Sequence, residues 1–124
     1  MALNLEEIKV YIEARKLSAV AWKIFSDLTW QIKKILGDQF IQSTDSVGGN
    51  IAEGYGRFHY LDRIKFFYNA RGSLLESKHW FELLDERSFL KNKELKNEYK
   101  YIYENLKPQL NSFINAIFKN KSKK

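Results

Sequence analysis

Ser46-Val47-Gly48-Gly49-Asn50-Ile51-Ala52-Glu53-Gly54-Tyr55-Gly56-Arg57, followed after a short gap by Ala70-Arg71-Gly72-Ser73-Leu74-Leu75-Glu76, is the stretch on which the fold turns. The flanking sequence has the apolar spacing of long helices, yet this stretch holds five of the chain's six glycines. A glycine inside a helix costs roughly 1 kcal/mol relative to alanine. Such a cost needs a compensating reason, such as close backbone approach or a tight helix end. Asn50, Glu53 and Arg57 stand at i, i+3 and i+7, on one helical face. Glycines beside a polar ladder predict two helices packed closely around a hydrogen-bonded network.

Apolar residues recur at helical spacing along the whole chain. The first helix shows Val10, Ala14, Leu17, Ala21, Ile24 and Leu28, a heptad-like seam. The second shows Ile32, Leu36, Phe40, Ser43, Val47 and Ile51. The third shows Ile64, Tyr68, Gly72, Leu75, His79 and Leu83, with Phe67 and Leu74 alongside. The fourth shows Leu95, Tyr99, Ile102, Leu106, Leu110, Phe113 and Ile117. Helices of roughly 20–28 residues would run about 30–40 Å. No segment alternates like a strand, and no Asn-Gly or Asp-Gly hairpin signal is present.

The breaks are short. One lies near Leu28 to Gln31, with Thr29 as N-cap; a rival reading carries the first helix through Leu36 and ends it at Gly37. The next is Gly56 to His59, with Asp62 in the carboxylate part of a capping arrangement, and the third begins at Arg87-Ser88. Pro108 lies inside the fourth pattern, and the seam stays in phase from Leu106 to Leu110, which predicts a kink and not a stop. Short connections force antiparallel neighbours. The expected fold is all-α, an antiparallel up-down-up-down four-helix bundle. Residues 1–124 form one domain in this reading, with a basic tail from about 119.

The residues quoted at the outset, Asn50-Ile51-Ala52-Glu53-Gly54-Tyr55-Gly56-Arg57 with Ala70-Arg71-Gly72-Ser73-Leu74 and Glu76, closely resemble the signature of the four-helix-bundle proteins named for 23S ribosomal RNA intervening sequences. Ile8-Lys9-Val10-Tyr11 with Ala14-Arg15 is similar to that family's N-terminal pattern. The resemblance runs from about Leu5 into the fourth helix, specific in the middle and loose in the last third. It departs at Trp30-Gln31, where members carry Phe-Pro, and at Val47-Gly48-Gly49, where they carry Ile-Pro before the Asn. The resemblance favours the break near Leu28. It implies a homo-oligomer, a pentamer, as in the related accessory variability proteins of diversity-generating retroelements, which bind nucleic acid and a reverse transcriptase. A reverse transcriptase is thereby an implied partner.

The net charge of +6 is unevenly placed. Residues 1–90 carry 12 basic and 12 acidic side chains, whereas residues 91–124 carry nine lysines against Glu94, Glu98 and Glu104. A localised basic stripe is a nucleic-acid footprint; a solvated helix face with a solubilising tail is the plain alternative. Lys93, Lys96 and Lys100 recur at i, i+3 and i+7, Lys107 continues the stripe, and Lys119, Lys121, Lys123 and Lys124 extend it. These lysines are the candidate site for RNA or DNA. No base-reading motif is visible, so backbone contacts are expected to dominate.

Aromatic residues make up 15% of the chain, and Trp30, Phe66, Trp80, Tyr101 and Tyr103 lie off the seams. One small bundle cannot bury all of them. Self-association and base stacking are the two uses for such a surface, and self-association is the commoner.

Catalytic constellations are sparse. There is no cysteine, so disulfides and thiolate metal sites are excluded. The two histidines, His59 and His79, sit at an expected helix start and on the expected third seam. Glu76-Ser77-Lys78-His79 is a single Glu-x-x-His, whereas di-iron bundles use two plus further glutamates. Gly54-Tyr55-Gly56-Arg57 lacks the lysine and preceding strand of a phosphate loop. A structural reading takes Gly49, Ala52 and Gly56 as a small-residue stripe for close packing. Asn50, Glu53 and Arg57 then meet Arg71 and Ser73, with Glu53 buried against an arginine.

The expected function is that of a non-enzymatic, oligomeric nucleic-acid-binding accessory protein, most readily an RNA binder. A structural or protein-partner scaffold and a ferritin-like metal bundle are the alternatives. No cofactor and no catalytic residue is expected. A cytoplasmic location is the default expectation, since Met1-Ala2-Leu3-Asn4-Leu5-Glu6-Glu7 lacks a signal-peptide pattern and no apolar run reaches membrane length.

Overall fold

In the computed structural model, which describes residues 4–122 with side chains through Lys119, all regular structure is helical. A short 3-10 turn, Leu5–Glu7, leads into α1, Lys9–Asp27. Leu28 and Thr29 are extended, with ψ of 149° and 159°, and this pair breaks the helix where the first of the two readings put it. The Thr29 hydroxyl accepts the Ile32 N–H at 3.4 Å, a long but recognisable cap. Helix α2 then runs in three continuous segments: Trp30–Ile32, a π-helical turn Lys33–Gly37, and Asp38–Tyr55. In the π-helical turn the Asp38 N–H reaches the Lys33 carbonyl, one residue further back than an α-helix would take it.

Helix α3, Tyr60–Glu86, follows the break at Gly56–His59, and α4, Lys93–Ser122, follows the break that begins at Arg87-Ser88. Asp62 makes no cap at the start of α3, where no side-chain bond closes the first turn. Ser88 terminates α3 in the left-handed region at φ 64°, a conformation that favours glycine. Asn92 caps α4, its Oδ1 accepting the Leu95 N–H at 3.1 Å. Helix α4 continues through Pro108. Pro108 has no N–H for the Glu104 carbonyl, and both residues are exposed, so water can serve that carbonyl.

Contacts at both ends of each helix pair fix the topology. Ser18 reaches the Thr44 carbonyl while Gly48 lies beside Ala14, so α1 and α2 are antiparallel. Thr44 meets Ser77 and Gly54 meets Phe67, so α2 and α3 are antiparallel. Ser77 meets Tyr99 and Phe67 meets Phe113, so α3 and α4 are antiparallel. Packing between α1 and α4 closes the ring, and α2 with α3 is the most extensive pair. The result is the expected up-down-up-down bundle.

Three of the four seams are inside as expected. Val10, Ala14, Leu17, Ala21, Ile24 and Leu28 are all buried, as are Leu36, Phe40, Ser43, Val47 and Ile51, and Tyr99, Ile102, Leu106 and Leu110, while Ile32, Leu95, Phe113 and Ile117 of the same seams are half-buried against this core. The third seam is different. Helix α3 buries Ile64, Phe67, Ala70, Leu74, Ser77, Phe81 and Leu84. Tyr68, Gly72, Leu75 and His79 face outward. This helix carries apolar residues on two faces, and periodicity alone selects neither.

Glycine earns its place at one position above all. A Cβ on Gly54 would lie 2.5 Å from Phe67 Cε1 and 3.1 Å from the Arg63 carbonyl oxygen. Close approach of α2 to α3 therefore requires Gly54. Gly49 and Gly72 have nothing within 4 Å of a Cβ position, and Gly49 and Gly56 are exposed with Ala52 half-buried. The stripe Gly49, Ala52, Gly56 thus lies on the outside of α2 and does not mediate packing within the chain.

Candidate nucleic-acid interface

Helix α4 begins beside the C-terminal end of α1, where Ile24 and Asp27 share a shallow cleft with Lys91, Asn92 and Lys96. From there Lys93, Lys100 and Lys107 stand exposed at seven-residue intervals. Seven residues is close to two turns, so the three remain near one face. Lys96 departs from the expected stripe. It is half-buried, and its Nζ lies 2.7 Å from Asp85 Oδ1 on α3, so its charge is already matched. Lys119 is exposed, but twelve residues beyond Lys107 a helix has turned about 120° off the stripe. The backbone at Lys121 is helical, its side chain is outside the described residues, and Lys123 and Lys124 lie outside them altogether. Glu104 is exposed between Lys100 and Lys107, four residues from one and three from the other, and offsets part of the stripe's charge.

The polar network expected between α2 and α3 is not formed as expected. Glu53 is exposed, with 58% of its side chain accessible, and accepts from Arg57 Nη2 at 3.2 Å across one turn of its own helix. Asn50 Nδ2 donates to the Ser46 carbonyl at 2.8 Å, also within α2. The Arg71 guanidinium lies 4.9 Å from the centre of the Tyr68 ring on its own helix, and Ser73 is half-buried. The reason is rotational. Helix α2 buries Thr44, Val47, Gly48, Ile51 and Gly54, which turns Glu53 and Arg57 to the outside.

The buried polar chain lies elsewhere, and the sequence reading did not find it. Thr44 Oγ1 donates to the Phe40 carbonyl at 2.7 Å and lies 2.6 Å from Ser77 Oγ, which lies 2.7 Å from the Tyr99 hydroxyl. Thr44, Ser77 and Tyr99 are all fully buried. Tyr99 stacks on Phe81 with centroids 4.1 Å apart and planes 12° apart. Burial pushes the Tyr99 hydroxyl well above its ordinary pKa. Burial also raises Tyr103, with Glu104 and Glu82 adding to the shift. Of the three only Tyr99 stands on a seam visible in the sequence; Thr44 lies one residue past Ser43, and Ser77 lies off the expected third seam.

The other candidates resolve as follows. His79 is exposed and packs edge-on against Trp80, not on the buried seam. Glu76 accepts from Trp80 Nε1 at 3.1 Å. Among the described residues no three His, Asp or Glu side chains come together to hold a metal ion. Among the off-seam aromatics, Tyr103 is buried beneath Lys78, whose Nζ is 4.6 Å from its ring centre. Phe66 and Trp80 are half-buried, while Trp30 and Tyr101 are 69% and 72% exposed. No helix among the described residues is long and apolar enough to cross a membrane.

Comparison with known proteins agrees with this geometry. A family model described as 23S rRNA-intervening sequence protein matches residues 6–112. A crystal structure from Bacteroides thetaiotaomicron VPI-5482, described as a protein with unknown function from the S23 ribosomal protein family, superposes with a TM-score of 0.73. It is 18% identical, and the match covers 85% of this chain and 97% of that one. At that identity the likeness is one of fold. No curated protein matches the chain.

Proposed function

The chain belongs to the 23S rRNA-intervening sequence protein family, and on that premise we propose that it is a self-associating nucleic-acid-binding protein that grips the phosphate backbone, of RNA most readily, through α4. The observation that carries this reading is the exposed row Lys93, Lys100 and Lys107 in the segment that holds the whole charge excess. A row of ammonium groups without a base-reading motif binds by counterion release and positions a strand without reading it.

Self-association is supported by the outer face of α3. Leu61, Tyr68 and Leu75 are 70%, 38% and 49% exposed at seven-residue spacing, with Gly72 beside them. Gly49 and Gly72 bear the helical cost of glycine without an intrachain contact in return, which suits a face approached by another copy. A ring of five, the assembly that the family resemblance implies, would repeat the lysine row by symmetry and add its modest contacts together.

Retardation of an RNA fragment in a native gel at low salt tests the reading. The wild type is expected to retard it, with affinity falling steeply as salt rises. Replacing Lys93, Lys100 and Lys107 together with Glu is expected to abolish retardation without loss of helicity, since all three are exposed. A wild type that leaves both RNA and DNA unshifted would sink it.

A further inference from the structure

The two tryptophans most open to solvent lie at the end of the bundle where the lysine row begins. Trp30 is 69% exposed at the start of α2, Trp22 is 58% exposed near the end of α1, and Ile35 in the π-helical turn is 64% exposed. The group is organised around cations. Lys34 Nζ sits 4.4 Å from the centre of the Trp30 ring. Its neighbour Lys33 places Nζ 5.2 Å from the Phe25 ring, and Trp22 stacks on Phe25 at 5.4 Å with planes 23° apart. The π-helical turn displays Lys33, Lys34 and Ile35 consecutively at this end while keeping Leu36 and Gly37 buried. Wide turns of this kind recur at functional sites.

The chemistry selects the occupant. A single-stranded nucleic acid offers flat bases and a phosphate at each step. A platform for it needs open aromatic faces with cations beside them. Trp22 and Trp30 supply the faces. Lys23, Lys33 and Lys34 supply the charge, against Asp27 and Asp38 in the same segment. Lys91 and Lys93, both exposed, lie at the start of α4, and Lys91 shares a cleft with Ile24 and Asp27 at the same end of α1. We propose that this end of the bundle is a base-stacking site for single-stranded nucleic acid, with Trp30 and Trp22 stacking bases and Lys33 and Lys34 meeting phosphates. The inference rests on the nucleic-acid reading above and adds to it a preference for single strands.

The test is a titration of the full chain with a short oligothymidylate and with a duplex of the same length, read by tryptophan fluorescence at low and at raised salt. Trp80 supplies a constant background, since it is half-buried and bonded to Glu76. The single strand is expected to quench the emission more than the duplex does at low salt, and the binding is expected to weaken as salt rises. Trp30→Ala is expected to lower single-strand affinity about ten-fold and leave duplex affinity unchanged, with Trp30→Phe restoring much of the loss. The exposed position of Trp30 keeps folding out of the outcome, which circular dichroism checks. If Trp30→Ala and Trp22→Ala bind the single strand as the wild type does, while the lysine variant fails to bind, the stacking site is wrong and the backbone reading stands. If the wild type binds neither probe, both are wrong. If Trp30→Ala changes the mass seen by light scattering but not the single-strand affinity, the patch is a protein interface and the proposal is overturned.

Discussion

The Tyr99 hydroxyl on α4 donates its proton to Ser77 Oγ on α3 across 2.7 Å, and the direction of that bond is forced. Thr44 Oγ1 spends its proton on the Phe40 carbonyl, which can only accept. The 2.6 Å contact between Thr44 and Ser77 must therefore be a donation from Ser77, which leaves Ser77 to accept from Tyr99. One ordered chain of hydroxyls ties α2, α3 and α4 together inside the core.

The ordered direction makes the two ends of the Ser77–Tyr99 bond unequal. Ser77→Ala strands a buried hydroxyl donor and is expected to cost about 1–3 kcal/mol. Tyr99→Phe leaves Ser77 still donating to Thr44 and is expected to cost less, with the double variant costing less than the sum of the two. Urea unfolding of the four proteins measures this; equal losses from the two single variants would contradict the assigned direction.

Alkaline stability follows from the raised pKa of Tyr99. The folded chain keeps this phenol protonated at pH values where the unfolded chain ionises it. The stabilisation is thus full below the ordinary tyrosine pKa, near 10, and is lost progressively above it. The slope contributed is about 1.4 kcal/mol per pH unit. Unfolding midpoints measured across this range are expected to fall less steeply in Tyr99→Phe, with Tyr103, which is also raised, still contributing. An unchanged slope in Tyr99→Phe would contradict this.

Gly54 and Gly49 are expected to respond oppositely to alanine. At Gly54 the new methyl meets the Phe67 ring and the Arg63 carbonyl, and overpacking of this kind costs about 1–3 kcal/mol. At Gly49 the space is open and the helix gains up to about 1 kcal/mol. Thermal melts of the two variants beside the wild type separate the two signs.

Glu53→Ala is expected to change stability by no more than about 0.5 kcal/mol, because an exposed ion pair one turn apart on a helix contributes little. A loss of several kcal/mol would show that another copy of the chain buries Glu53.

Lys100 and Lys96 differ in what they hold. Lys100→Ala is expected to reduce the dependence of log affinity on log salt by about one, the loss of one phosphate contact. Lys96→Ala is expected to leave that slope nearly unchanged and to lower stability, since it breaks the contact with Asp85. Glu104→Gln is expected to strengthen binding, because it removes the carboxylate between Lys100 and Lys107. Binding isotherms over a salt series check all three.

Four helices, their breaks and three of their buried faces are legible in the residues, with the family resemblance choosing the break near Leu28 over Gly37. Each of those rests on local causes: apolar spacing at Val10–Leu28, Leu36–Ile51 and Tyr99–Leu110, a cap at Thr29, and a turn at Gly56–His59. Tertiary structure decided the rest. Helix α3 is apolar on two sides, and the fit of Phe67 against Gly54 and of Ser77 between Thr44 and Tyr99 selects the inner one. That rotation sends Tyr68, Leu75 and His79 outward, while the buried face of α2 leaves Glu53 and Arg57 in solvent. It also decides which lysines keep an open charge, because Lys96 meets Asp85 only when α3 and α4 are side by side. A helix's period is written in its own residues, but its rotation about its axis is set by what the neighbouring helices present to it.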